Sequence, residues 1–240
     1  MRYELRFVDT IDSTNNALKA LAASGAPEGT VLTADRQTAG RGRMGRSFFS
    51  PAGSGLYTSI LLRPGFAIPP ASLTCLAAVA VAETVLSYGV DCRIKWVNDL
   101  YIGAKKAAGI LTEGALRPDG TPLWCVVGIG VNLSAPPDLP ESLQDTVTGV
   151  FDAPLSRTER DAFLQKLLDR FGAHYDRLPE IDFWEPYNAL QNVFGRTVRF
   201  TDRGEAAEGV AEAIDRDFRL LVRRNSGLVA LERGEVIFVS

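Results

Sequence analysis

The amino-acid sequence predicts an α+β protein, in which a β-sheet domain with flanking helices precedes a small β-barrel. Up to about residue 190, apolar and β-branched strand segments alternate with segments of helical spacing. Beyond that point, short segments of alternating polarity are separated by turn sequences such as Asp-Arg-Gly and Asn-Ser-Gly. We therefore predict a large domain at residues 1–190 and a small β domain at residues 191–240.

The individual elements follow from periodicity and from capping and turn residues. Asp12 or Ser13 can cap a first helix, and Gly25 can end it. The most apolar stretch, residues 71–86, is too short to span a membrane and contains Glu83, so we expect a buried helix. A further helix is predicted at residues 158–178, and strands at residues 5–8, 30–34, 56–62, 93–96, 107–112, 123–131, 197–200, 209–214, 220–222, 228–231 and 236–239.

Composition excludes several classes of function. The chain has 240 residues, 46% of them hydrophobic, with a net charge of −3, which is typical of a globular protein and not of a dedicated nucleic-acid binder. Three cysteines without a Cys-x-x-Cys motif favour a reducing, cytoplasmic location, and no secretory signal or membrane span is expected. His174 is the only histidine and is predicted on a surface helix, which leaves little material for a histidine metal site or a Ser-His-Asp triad.

The densest functional pattern lies in residues 36–55, a polar segment without helical or strand periodicity. Loops of about twenty residues inside a compact domain are usually functional or disordered. Residues 40–46 read Gly-Arg-Gly-Arg-Met-Gly-Arg. Glycines allow the backbone to approach an anion, and guanidinium groups bind carboxylate or phosphate through two hydrogen bonds. The alternative is a solvated basic loop; the pattern is not a Walker A loop, because it lacks the Gly-Lys-Ser/Thr ending.

A second pattern, Lys-Trp-Val-Asn-Asp at residues 95–99, places a lysine on a short strand before a polar turn. The apolar neighbours of Lys95 indicate partial burial, and such an ammonium can stabilise charge developing at phosphorus. The alternative is a surface lysine beside a core tryptophan.

Three weaker signals accompany these two patterns. The Asp-Ser-Thr-Asn-Asn segment at residues 12–16 is typical of a helix N-cap but also suits a polar ligand. The Gly-Ile-Gly-Val-Asn-Leu segment at residues 128–133 indicates either a close-lying ligand or a bulge. Lys105 and Lys106 precede a strand, where a lysine pair is usually exposed.

Taken together and in order, these segments resemble the biotin–protein ligase family. The matching motifs are Asp-Ser-Thr-Asn at 12–15, Gln-Thr-Ala-Gly-Arg-Gly-Arg at 37–43, Lys-Trp-x-Asn-Asp at 95–99, Ala-Gly-Ile-Leu at 108–111 and Gly-x-Gly-x-Asn at 128–132. The resemblance implies a mixed β-sheet catalytic domain similar to class II synthetases and an SH3-like C-terminal β-barrel. Two positions differ: Val97 stands where the family usually has Pro, and Ser47-Phe48-Phe49 where it usually has Trp.

The resemblance also implies an activity and its substrates. Members use ATP to form biotinyl-5′-AMP, with Mg²⁺ on the nucleotide, and then transfer biotin to a lysine of a biotin carboxyl carrier protein. Members often pair through their sheets, which allows a homodimer. Members that repress transcription carry an N-terminal helix-turn-helix domain; here the matching segments begin almost at Met1, so we expect no sequence-specific DNA binding. The rival interpretations are a lipoate–protein ligase and a non-catalytic anion- or nucleic-acid-binding module.

Site roles follow from the same resemblance, residue by residue. Catalytic roles fall on Lys95, Arg41 and Arg43, and Asp99 is a local candidate for the base that deprotonates the acceptor lysine. Biotin-binding positions are Ser13, Thr14, Asn15, Gln37, Gly40, Arg41, Gly42, Arg43, Lys95, Gly109, Gly128 and Gly130. ATP-binding positions are Arg41, Arg43, Arg46, Phe48, Lys95, Asn98, Lys106 and Asn132. No metal ligand is assigned.

Overall fold

The computed structural model describes residues 1–69, 71–136, 138–180, 182–202, 204–232 and 234–239. Its first sheet has seven strands in the order β1-β2-β3-β7-β6-β5-β4. Strands β1 and β2 are parallel and the other neighbours are antiparallel, so the sheet is mixed. The strands are β1 (Glu4–Ile11), β2 (Thr30–Gln37), β3 (Gly55–Leu62), β4 (Arg93–Lys95), β5 (Asp99–Ile102), β6 (Lys105–Leu116) and β7 (Pro122–Asn132).

Helices cover both faces of this sheet. The helices are α1 (Thr14–Ala23), α2 (Ser72–Leu86), α3 (Glu141–Gln144), α4 (Arg157–Asp176) and α5 (Trp184–Ala189), with 3-10 turns at Arg43–Gly45 and Leu178–Glu180. Helix α1 packs with Leu32, Leu61 and Val126 on one face. Helices α2 and α4 pack with the alternate strand residues on the other face. Because strand side chains alternate between faces, β2, β3 and β7 contribute apolar residues to both layers.

The apolar character of α2 is explained by its position. Nearly every residue of α2 is buried, including all those from Ser72 to Ala82. The helix therefore needs no polar face and is a central core element rather than a surface helix. Within the described ranges, no helix is both long and apolar enough to cross a membrane.

A second, antiparallel sheet follows in the order β11-β10-β9-β8-β12. Its strands are β8 (Thr197–Asp202), β9 (Glu205–Ile214), β10 (Leu220–Arg224), β11 (Gly227–Leu231) and β12 (Ile237–Phe238). The sheet packs into the same hydrophobic core as the first sheet, through residues such as Val198, Phe218 and Val236. The mixed sheet with its helices and the C-terminal antiparallel sheet together confirm the predicted α+β class.

Several local predictions need correction. Strand β5 (Asp99–Ile102) was not predicted, and the turn that precedes it lies at residues 96–98 rather than at Asn98-Asp99. The cause is its length: four residues directly after a polar turn give too short a pattern to show periodicity. His174 is not on an exposed face but lies between Glu83 and Asp182, 3.2 Å from each. Cys75, Cys92 and Cys125 are all buried free thiols, as expected.

Candidate functional site

A cavity of about 300 Å³ opens beside the C-terminal half of β7. Its floor is formed by β6 and β7, and its walls by the start of α1, the β4–β5 hairpin, the residue 36–55 loop, Pro136 and the segment at residues 138–147. Every predicted site residue except Gly40 lines this cavity. Predicted site residues that are as much as 119 residues apart in the chain, Ser13 and Asn132, therefore line one cavity.

One end of the cavity is lined by uncharged hydrogen-bonding groups, and we call Ser13, Thr14, Asn15 and Gln37 the neutral end. Ser13 caps α1 by accepting a hydrogen bond from Asn16 N at 3.4 Å. The Gln37 side-chain oxygen accepts hydrogen bonds from Thr14 N and Oγ1 at 2.9 and 3.1 Å. The N-cap prediction is thus confirmed, and the capped helix start also directs two further side chains at the cavity.

A buried hydroxyl fixes the neutral end from below. Ser59 Oγ, on β3, lies 2.8 Å from Thr14 Oγ1 and 2.7 Å from Asn15 Oδ1. The Asn15 amide donates to Leu111 O at 3.1 Å. Because these groups are buried and mutually bonded, their orientations are set before any ligand arrives.

The two floor glycines on β7 are required by close contacts. A Cβ on Gly128 would lie 2.1 Å from Asn15 Oδ1, and a Cβ on Gly130 would lie 2.7 Å from Phe48 Cε1. The register of β7 with β3 and β6 runs unbroken through both positions, so the segment is not a bulge. The Phe48 ring thus lies over the glycine floor, with its edge towards Tyr57 at a centroid distance of 6.4 Å.

The opposite end is positively charged, and we call Arg43, Arg46, Lys95 and Lys106 the cationic end. Lys95 is only 9% exposed. Its Nζ lies 5.6 Å from the ring centroid of Tyr101 and 5.1 Å from that of Phe238. Burial lowers the pKa of the Lys95 ammonium, and the nearby Asp99 carboxylate opposes that effect.

The second cavity lysine has a different environment. Lys106 Nζ forms an ion pair with Asp99 Oδ1 at 2.7 Å, and Asp99 also accepts from the Asn98 amide at 2.9 Å. The predicted exposure of Lys106 is therefore only partly correct, since its ammonium reaches back over β6. A Cβ on Gly109 would come within 3.2 Å of Lys106 Cε and Nζ, so this glycine makes room for the lysine. Asn132, 4% exposed, lies at the end of β7 beside this end of the cavity.

The glycine- and arginine-rich segment folds over the cavity as a short hairpin, and we call residues 38–49 the arginine loop. Phe48 N donates to Gly40 O at 2.9 Å and Gly42 N donates to Arg46 O at 2.7 Å. Gly40 does not face the cavity; a Cβ there would lie 2.4 Å from Phe48 O, so its role in the structure is to let the two arms of the hairpin pack.

Each arginine of the loop is tied to a different part of the protein. Arg41 donates to Asn16 Oδ1 at 2.8 Å and to Glu113 at 3.0 Å. Arg43 donates to Asn98 Oδ1 at 2.8 Å. Arg46 donates to Glu235 Oε1 at 2.8 Å.

The arginine partners include two carboxylates that the sequence analysis missed, Glu113 and Glu235. Burial raises the pKa of Glu113, but hydrogen bonds from Lys19 and Asn15 and the charges of Lys19 and Arg41 outweigh burial and leave that pKa lowered. Glu235 behaves alike: the hydrogen bond and charge of Arg46 outweigh burial and lower its pKa. A charged residue after the apolar run Ala108–Leu111 was the only local signal for Glu113, and Glu235 had none.

An apolar wall was also missed. Residues 138–147 approach the cationic end beside Lys106, whose backbone N donates to Thr146 O at 2.8 Å. The wall residues that line the cavity are Pro136, Leu139, Leu143, Thr146 and Val147. Within the described ranges, no group of three or more His, Cys, Asp or Glu side chains is placed to hold a metal ion.

Comparisons with known proteins agree with this geometry. Residues 7–132 match the model of the biotin/lipoate A/B protein ligase family, and residues 193–239 match the biotin protein ligase C-terminal domain. The chain belongs to the biotin/lipoate A/B protein ligase family. The family resemblance found from the motifs is thus confirmed.

Individual relatives share most of the chain. A biotin--[acetyl-CoA-carboxylase] ligase from Paracoccus denitrificans is 33% identical, covering 95% of this chain and 97% of the relative. The bifunctional ligase/repressor BirA of Bacillus subtilis is 35% identical, covering 98% of this chain and 74% of the relative. Among solved structures, biotin protein ligase from Aquifex aeolicus in complex with biotin and ATP superimposes with a TM-score of 0.82 at 28% identity, covering 98% of each chain.

Proposed function

We propose that this protein uses ATP to convert biotin into biotinyl-5′-AMP and then transfers the biotinyl group to a lysine of a biotin carboxyl carrier protein. One observation carries the proposal: a neutral hydrogen-bonding end and a cationic end line the same cavity. A molecule with an uncharged polar head and a terminal carboxylate fits such a site in one orientation only. Relatives named as biotin ligases share most of the chain, which supports the same assignment.

The neutral end favours biotin over lipoate. Biotin's ureido group offers two N–H donors and one carbonyl acceptor, and the hydroxyl and amide groups of Thr14, Asn15 and Gln37 can complement them. The dithiolane of lipoate has no such groups, so binding it would bury these side chains without ligand partners. Sites built to hydrogen-bond a ligand strongly reject analogues that lack the bonding groups.

The cationic end suits the first chemical step. A carboxylate oxygen of biotin attacks the α-phosphorus of ATP, and pyrophosphate leaves as the new P–O bond forms. Both reactants are anions, so their approach requires positive charge at the place of reaction. We assign this role to Lys95 and Arg43, in a partly desolvated site where fixed charges act strongly.

The nucleotide is proposed to lie along the apolar wall. Leu139, Leu143 and Val147 offer an aliphatic surface for the adenine base, while Lys106 and Asn132 lie near enough to meet its ribose and phosphates. Phe48 lies over Gly130, so we place it nearer the biotin ring system than the adenine. We treat Mg²⁺ as part of the ATP substrate, because phosphate oxygens are ligands that this ion prefers.

In the second step an acceptor lysine attacks the acyl carbon, the C–O bond to the phosphate breaks and AMP leaves. The attacking amine must first lose a proton, since its ordinary pKa is about 10.4. Asp99 remains the candidate for receiving that proton, although it is engaged by Lys106 at 2.7 Å in this structure.

We propose a cytoplasmic location, which the three buried free thiols support. We also propose a homodimer formed through the sheets. No role in sequence-specific DNA binding is proposed, since the loop arginines are directed at the protein's own Glu113, Asn98 and Glu235.

The decisive experiment is mass spectrometry of a biotin carboxyl carrier domain after incubation with this protein, ATP, Mg²⁺ and biotin. The expected result is one biotinyl group on one lysine, dependent on ATP. A parallel reaction supplies lipoate with a lipoyl carrier domain. Modification of the lipoyl domain alone would show that the neutral end has been misinterpreted, and modification of neither domain would contradict the ligase proposal.

A further inference from the structure

The hairpin that carries Lys95, formed by β4 and β5, is held from outside the first sheet. Strand β4 is the edge of that sheet. Its free side is covered by the chain that leads to the second sheet: Ile94 N donates to Leu190 O at 2.8 Å, and Asn192 N donates to Ile94 O at 3.0 Å. The backbone of the hairpin is therefore anchored on both sides.

Two side-chain hydrogen bonds anchor the turn of the same hairpin. The Trp96 indole Nε1 donates to Phe218 O at 2.9 Å, and the Tyr187 hydroxyl donates to Val97 O at 3.0 Å. Tyr187 and Phe218 are 0% exposed and Trp96 is 3% exposed. In such dry surroundings a hydrogen bond is electrostatically strong, and losing one partner leaves a buried polar group unsatisfied.

Phe218, which lies between β9 and β10 of the second sheet, contacts both residues that make these hydrogen bonds. Its carbonyl holds Trp96, and its ring lies edge-to-face against the Tyr187 ring at a centroid distance of 5.6 Å. The ring also stacks on Phe183 at 5.3 Å. Phe218 thus touches each of the two residues that fix the turn.

The backbone of Phe218 is strained. Its φ is +63°, in the left-handed region that a bulky residue rarely adopts. Such strain persists only where the surroundings over-determine the conformation, and it tends to occur near functional sites. Here the strained backbone turns the Phe218 carbonyl towards the Trp96 indole while the ring remains in the core.

We propose that Phe218 is a positioning residue, which orients the turn at residues 96–98 through its own carbonyl and through Tyr187. The consequence reaches two groups of the cationic end, because Lys95 directly precedes this turn and Asn98, within it, accepts the hydrogen bond of Arg43 at 2.8 Å. Phe218, which does not line the cavity, thereby affects adenylate formation without contacting either substrate. This inference rests on the proposed ligase function.

The test uses the full-length protein and biotin-dependent pyrophosphate exchange, with kcat and KM measured separately. Tyr187→Phe removes the hydrogen bond from the hydroxyl to Val97 O and keeps the ring. Trp96→Phe removes the hydrogen bond from the indole to Phe218 O. Trp184→Phe is the matched control: its indole Nε1 donates to Asp215 O at 2.7 Å, in the same β9–β10 turn, but neither partner of this hydrogen bond belongs to the hairpin. All variants are assayed well below their unfolding temperatures.

We expect kcat to fall about fivefold to tenfold in Tyr187→Phe and Trp96→Phe, with KM for biotin and ATP changed less than about twofold. Trp184→Phe should keep the kcat of the unaltered protein even where its thermal stability is reduced. The inference is overturned if all three variants lose stability alike and none loses kcat, which is the result of a purely structural role. An unaltered protein that shows no biotin-dependent exchange would instead contradict the proposed function.

Discussion

The two ends of the cavity are built on opposite principles. At the neutral end, Thr14, Asn15, Gln37 and the underlying Ser59 bond to one another and to the sheet, so each polar group is held by a close neighbour. At the cationic end, Lys95 has two aromatic rings as neighbours. Arg43 and Arg46 donate hydrogen bonds to Asn98 and Glu235, which are far from them in the sequence.

This difference separates recognition from chemistry. Interlocked neutral groups lose little order on binding and contribute the same binding energy to ground state and transition state. A desolvated ammonium gains most when charge develops beside it, so its contribution appears in the transition state. We therefore expect substitutions at the two ends to change different kinetic constants.

The largest effect is expected at the cationic end. Lys95→Ala should lower kcat for biotin-dependent pyrophosphate exchange by about 10²–10³-fold or more, because a preorganised charge at the reacting phosphorus is lost. Lys166→Ala is the control and should leave kcat unaltered. Lys166 belongs to α4, and its ammonium lies over the ring of Tyr88. Near-normal exchange in Lys95→Ala would remove this lysine from catalysis.

A smaller effect is expected at the neutral end, and on a different constant. Gln37→Met keeps side-chain length but removes the acceptor of Thr14 N and Oγ1, so KM for biotin should rise about tenfold while kcat changes by less than about threefold. Thr84→Val, which removes a buried hydroxyl within α2, serves as control. If kcat falls as much as KM rises, the separation between the two ends does not hold.

The next prediction concerns the arginine loop, which lies over the cavity, and asks whether this loop moves when the substrates bind. Glu113→Gln removes the charge that pairs with Arg41 and Lys19, so without ligands trypsin should cut the loop about twofold to fivefold faster. Adding biotin and ATP should slow cleavage in both proteins. Glu208→Gln, which breaks an exposed pair with Arg199 in the second sheet, should not change loop cleavage. Cleavage insensitive to Glu113→Gln and to ligands would argue against a loop that closes over the site.

The smallest effect is expected far from both ends, at His174. Hydrogen bonds from the imidazole to Glu83 and Asp182 raise its pKa, although burial opposes this, and Arg177 also pairs with Asp182. A raised pKa in the folded state means that the stabilisation is complete below the unfolded value of about 6.5 and is lost as pH rises through the folded value.

Thermal unfolding between pH 5.5 and 8.5 checks this sign. As pH rises over that range, the free energy of unfolding of the unaltered protein should fall, relative to that of His174→Gln, by about 1 kcal/mol or less. The loss is small because the carboxylate partners are partly exposed. Pyrophosphate exchange should be equal in the two proteins at a fixed pH. A stability gain with rising pH, specific to His174, would contradict the assignment of its partners.

Much of the site could be predicted because its residues come in short motifs. Glycines beside arginines and a lysine beside a buried tryptophan each carry local chemistry, and the order of the motifs identified the family. The partners of those residues could not be predicted in this way. Glu113, Glu235 and Phe218 are brought to the site by strand pairing and by packing of the second sheet, over separations that no local pattern records. Gly40 illustrates the converse, since its motif is recognisable but its contacts serve the loop's own packing.

The burial of the three cysteines has a practical consequence for following the arginine loop. Burial raises the pKa of the Cys92 thiol to about 12 and that of the Cys125 thiol to about 11, and Cys75 is fully enclosed, so none offers a thiolate to reagents in the native state. Met44, at the loop tip, is 75% exposed. A cysteine introduced there would be the single site of covalent labelling, so a fluorophore or spin probe could report on loop position in a protein that keeps all its native thiols.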